Sequence, residues 1–92
     1  MEKKEYVITF MGTGDNSTFL NINRLIKNEG FEILTSEYKV SQDSIAGYFL
    51  VPGNPNDNSK TIEDRLKKII PQFENVKFII QNAKLFEYVY SI

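Results

Sequence analysis

Between Tyr6 and Ile33 the chain runs from a strand, through a glycine-bearing turn, onto a capped helix and back towards a strand. Tyr6-Val7-Ile8-Thr9-Phe10-Met11 is rich in β-branched and aromatic residues, and Gly12-Thr13-Gly14-Asp15-Asn16-Ser17 breaks it. From Ser17 or Thr18 to Asn28, the residues Phe19, Ile22 and Ile26, with Leu25 beside them, recur at the spacing of a core-facing helix. Asp15, Asn16 or Ser17 can cap its start, and Gly30 suits the left-handed residue that follows a helix end. A turn that delivers a chain onto a helix start offers backbone amides where small anions are often held. Gly12, Thr13, Gly14, Asp15, Asn16 and Ser17 are therefore the candidate ligand-binding residues. The same residues also have a plain structural use, with the glycines shaping the turn and Asp15 to Ser17 capping the helix.

The remaining pattern supplies a second strand–helix–strand unit. Phe31 to Val40 alternates loosely, Ser41-Gln42-Asp43-Ser44 is turn chemistry, and Ile45 to Val51 is a more continuously apolar strand. After the polar loop Asn54 to Ser59, a helix is expected from about Lys60 to Ile70, with Ile62, Leu66, Ile69 and Ile70 on one face and Pro71 as its stop. Glu63 with Lys67 and Asp64 with Lys68 have the spacing of favourable helical ion pairs. Val76 to Gln81 is a clear strand, and Leu85 to Tyr90 alternates once more. With right-handed crossovers the order predicts an α+β, ferredoxin-like βαββαβ sandwich: an antiparallel sheet with both helices on one face, plus a C-terminal extra strand. The expected open face draws on Tyr6, Tyr38, Tyr48, Phe86, Tyr88 and Tyr90, of which Tyr48, Phe86, Tyr88 and Tyr90 are the candidate interface residues.

Composition narrows the chemistry. Ninety-two residues suit one small domain, 1–92, with a modest core that pairing with a second copy would help. The chain has no cysteine and no histidine, which removes thiolate nucleophiles, disulfides, soft-metal sites and histidine-based catalysis. No carboxylate pair has a spacing that implies a shared catalytic role, so no enzyme, metal or cofactor is expected. Eleven basic residues balance twelve acidic ones, so a broad nucleic-acid-binding face is not expected. No apolar run approaches a membrane span or a secretion leader, and a cytoplasmic location is expected.

From Gly12 to Ile33 the chain resembles an ACT domain, the small regulatory module that senses amino acids. That family opens with a strand, then Gly-x-Asp-x-x-Gly, a helix with spaced Leu/Ile and a glycine before the second strand. Gly12, Leu25, Ile26, Gly30 and Ile33 fall at the matching spacing. Gly14 stands where the family has Asp, with Asp15 one place later, and Ser17 replaces the last glycine. The resemblance implies a homodimer, with an amino acid or small carboxylate bound where this loop meets a neighbouring subunit. Amides at the helix start would hold the carboxylate, and Asp15 would accept from an amino group. On that reading Gly14→Val or Asp15→Ala abolishes ligand-induced stabilisation and leaves the apo fold largely intact.

Two other resemblances are poorer. Tyr6-Val7-Ile8 and Gly47-Tyr48-Phe49-Leu50-Val51 fall on the strands that carry stacking aromatics in RNA-recognition sheets, but Ala46 stands where a basic residue belongs and Leu50 replaces an aromatic. The rhythm of Thr35 to Val40, Ile62 to Leu66 and Val76 to Ile80 is similar to the small ferredoxin-like nucleases of CRISPR adaptation. Their metal-binding Asp is replaced by Met11-Gly12, so no nuclease activity is expected. The main alternative to a ligand-binding module is a protein–protein adaptor or inhibitor acting through the open sheet face or the C-terminal strand.

Overall fold

In a computed structural model, which describes residues 4–83, four antiparallel strands form one sheet in the order β2-β3-β1-β4. The elements are β1 (Lys4–Thr13), α1 (Asn16–Asn28), β2 (Thr35–Ser41), β3 (Ser44–Gly53), α2 (Ser59–Leu66) and β4 (Val76–Asn82), with a 3₁₀ turn at Ile70–Gln72 before β4. This is the split βαβ sandwich that the order of elements predicts. The expected strand from Leu85 to Tyr90, with Phe86, Tyr88 and Tyr90, lies outside the described residues.

Strand alternation puts the main core on one side of the sheet, while Val7, also buried, faces the other. Tyr6, Ile8 and Phe10 of β1, Ile45, Phe49 and Val51 of β3, and Val76 of β4 point to one side. There they meet Ile22 and Ile26 of α1 and Ile62 and Leu66 of α2. An aromatic column ties α1 to β2 and β3: Phe19 stacks on Tyr38 at 3.9 Å between ring centroids and on Phe49 at 5.2 Å. Tyr6 and Tyr38 therefore belong to the helix side of the sheet, not to the open face. Tyr6 is buried, and its hydroxyl donates 2.7 Å to the Asp57 carbonyl. Burial, then the nearby Asp57 charge, raise its pKa. Of the three described tyrosines expected on the open face, only Tyr48 is there, half-buried.

The element boundaries shift for identifiable reasons. Gly30 has φ +93°, and the amides of Gly30 and Phe31 donate to the carbonyls of Lys27 (3.0 Å) and Ile26 (3.3 Å). That pair of hydrogen bonds closes α1 in a Schellman motif and turns Phe31 into the core with Ile26. The chain needs Phe31 to Leu34 to leave this turn, so β2 starts at Thr35 and not at Phe31. The second helix stops at Leu66, short of the expected Ile70, because Pro71 has no amide to give and its ring would crowd the carbonyl of residue 67. A tighter 3₁₀ turn carries Ile69 into the core instead. With the helix ended, Asp64 pairs with Lys67 at 3.1 Å and Lys60 at 3.5 Å, not with Lys68 as the helical spacing suggested. The Lys67 contact, the main cause, lowers the Asp64 pKa.

Candidate functional site

The six-residue loop expected between the first strand and helix is much shorter in the structure. Gly12 and Thr13 are the last residues of β1, Asn16 and Ser17 are the first turn of α1, and only Gly14 and Asp15 lie between. Gly12 sits against the chain entering β4: a methyl group there would overlap the Asn75 carbonyl oxygen. Gly14 packs against Thr18, whose side chain lies only 2.6–2.9 Å from where a methyl would go. Both glycines are thus required by close approach, independently of any ligand.

The amides of Thr13, Gly14, Asp15 and Ser17 are committed to the protein itself. Asp15 is the N-cap: its Oδ1 accepts from the amides of Ser17 (3.0 Å) and Thr18 (3.2 Å) and from the Ser17 hydroxyl (2.6 Å). The Thr18 hydroxyl accepts from the Asp15 amide at 3.1 Å, completing a capping box. Thr13 donates to the Asn75 carbonyl at 2.9 Å and Gly14 to the Asp43 carbonyl at 2.8 Å, which straps the turn across the end of the sheet. The Asp15 pKa is lowered, first by the Ser17 hydroxyl and then by the Thr18 amide. Asp15 acts here as a structural acceptor. Consequently Gly14→Val and Asp15→Ala would both disturb the apo helix start, contrary to the expectation that they spare it.

Beside this turn the open face of the sheet forms a hollow of about 760 Å³. Gly12 and Thr13 line it, together with Met11, Ala46, Lys39, Lys77, Ser41, Ser44, Ile45, Glu74 and Asn75. The strand register explains the grouping, because Lys39 of β2 pairs with Ala46 of β3, which pairs with Met11 of β1, which pairs with Lys77 of β4. These four residues make one row straight across the face away from the helices. Ser41, Ser44 and Thr13 form the next row, at the edge. Met11 is 50% exposed, and Ile79, one row down on β4, is 51% exposed. Sequence reasoning did not find Met11, Lys39, Ala46 or Lys77 as a group; the alternation of each strand put them on one face, but only the register aligns them. Among the described residues no three metal-ligating side chains come together, and no helix is long and apolar enough to cross a membrane.

No family model and no curated protein matches the sequence. Solved structures do match the fold. An ACT domain protein from Streptococcus pneumoniae superposes with a TM-score of 0.70 at 20% identity, covering 94% of this chain and 97% of that one. The ACT domain from GTP pyrophosphokinase of Chlorobium tepidum gives 0.64 at 12% identity, over 88% of this chain and 99% of that one. Formyltetrahydrofolate deformylase from Burkholderia mallei gives 0.63 at 7% identity over 84% of this chain, which spans 27% of that protein. The chain has the fold of ACT domains, the architecture that Gly12 to Ile33 resembles in sequence.

Proposed function

We propose that the chain is a non-catalytic regulatory module, one domain over 1–92, that binds a small amino acid or carboxylate at the end of the sheet beside Gly12 to Ser17. The observation that carries this reading is the open hollow where β1 hands over to α1, on a fold shared with ACT domains. Gly12 and Thr13 line the hollow, so the loop contributes its strand end and not the capped amides. A cytoplasmic location goes with the same reading and is checked by fractionation. Thermal melts against amino acids, nucleotides and small carboxylates test the function. A ligand at ~100 times its dissociation constant adds about 2.7 kcal/mol of stability, a shift of several degrees in a domain this small. A selective shift supports the proposal, and a flat panel contradicts it.

A homodimer belongs to the same proposal. Among the described strands β2 is a sheet edge without proline, with an exposed apolar residue near each of its ends and another on α1. Leu20, next to Phe19 on α1, is 60% exposed, Leu34 at the approach to β2 is 44% and Val40 on it is 37%. Protein adaptor function is the second reading, favoured by Met11, Ile79 and Tyr48 on the open face. Deleting Leu85 to Ile92 would then remove partner capture, and an unchanged pull-down would count against it.

A further inference from the structure

We infer that the hollow over Met11 and Ala46 is a site for an organic anion with an apolar body, gripped from both sides by Lys39 and Lys77. This rests on the ligand-binding reading and assigns it a location and a ligand chemistry. Adjacent strands lie about 4.8 Å apart, so the outer Cα atoms of the Lys39–Ala46–Met11–Lys77 row are about 14 Å apart. Two lysine side chains can lean in over that distance and meet one anion, or lie along a longer one. Neither lysine has an ion-pair or hydrogen-bond partner among the described residues, whereas Lys4, Lys60 and Lys67 are engaged.

Between the lysines the floor is apolar and low. Ala46 offers only a methyl group, and Met11 offers a flexible, polarisable side chain that is half exposed. The hydroxyls of Thr13, Ser41 and Ser44 rim one end and supply hydrogen-bond donors. Among the described residues Glu74 is the one acidic side chain lining the hollow, against two lysines, so that lining carries net positive charge in a chain whose overall charge is −1. An apolar lining with a few convergent polar groups, in a volume near 760 Å³, is the ordinary make-up of a small-molecule site. A cationic ligand meets two like charges there, and a neutral one leaves both ammonium groups unused.

Three probes with one apolar body and different heads test this: phenylacetate, 2-phenylethanol and phenethylamine, titrated into the full chain and followed by backbone-amide NMR. Phenylacetate is expected to move the amides of Met11 to Thr13, Lys39 to Ser41 and Ser44 to Ala46, with the alcohol far weaker and the amine silent. Lys39→Met and Lys77→Met should each weaken phenylacetate about tenfold, the loss of one charge-assisted contact. Lys27→Met and Lys68→Met, exposed lysines elsewhere, should leave it unchanged and serve as folded controls. Ala46→Trp should fill the floor and abolish binding. Equal binding of all three probes, or insensitivity to Lys39→Met and Lys77→Met, overturns the assignment. If another compound stabilises the protein in the melt panel while phenylacetate does not bind, the anion site falls and the ligand-binding reading stands; if nothing binds, both fall.

Discussion

At Asp15 a residue of apparent binding chemistry turns out to hold the backbone. Its carboxylate satisfies the first amides of α1, and its pKa is lowered below the unfolded value near 3.9. A depressed folded pKa means that the cap stabilises the protein above the unfolded pKa and is lost as pH falls through the folded one. Asp15→Asn should therefore cost stability at pH 7, with the two proteins converging as pH falls through the folded Asp15 pKa, as read from urea unfolding over an acid pH series. Equal unfolding midpoints at pH 7 would remove the charge from the account of the cap. Gly30 is the second residue whose job is conformational. Its φ of +93° suits no side chain, while the nearest atom to an added methyl is 3.9 Å away. Gly30→Ala should thus cost about 1–2 kcal/mol from backbone strain alone, measured as a lower denaturation midpoint with an unchanged slope.

The joint between α1 and β2 depends on Phe19, which stacks on Tyr38 and Phe49. Phe19→Ala should destabilise the fold by about 3 kcal/mol, and hydrogen exchange should quicken first in β2, which among the described strands pairs only with β3. Uniform exchange across the sheet would contradict this placement of the weak point. The order of strands and helices was readable from periodicity because each apolar face has its own period: Ile22 and Ile26 on a helix, Tyr6, Ile8 and Phe10 on a strand. Helix ends were less legible. Where α2 stops depends on Pro71 acting backwards over a turn, and where β2 begins depends on a double hydrogen bond behind Gly30. The site was the least legible part. Its four-residue row needs β1 to pair with β3 and β4, strands distant in sequence, which no local pattern encodes.

For the whole molecule, one face of the sheet is closed by two helices, and the other carries a hollow next to the turn that the sequence pointed to. The edge at β2 offers a second surface. Leu20→Glu with Val40→Lys should leave the fold intact, since both side chains are exposed, and shift the molar mass from dimer to monomer in light scattering. A wild-type protein that is monomeric at high concentration would contradict the proposed dimer. Ligand binding remains the central claim, and one measurement reaches it most directly: backbone-amide NMR of the full chain titrated with amino acids and small carboxylates, which detects weak binding and locates it together. The expected result is a saturable shift confined to the ends of β1 and β2 and the starts of β3 and β4. Spectra that stay unmoved across the panel, or shifts confined to the far end of the sheet near Gly53, would contradict it.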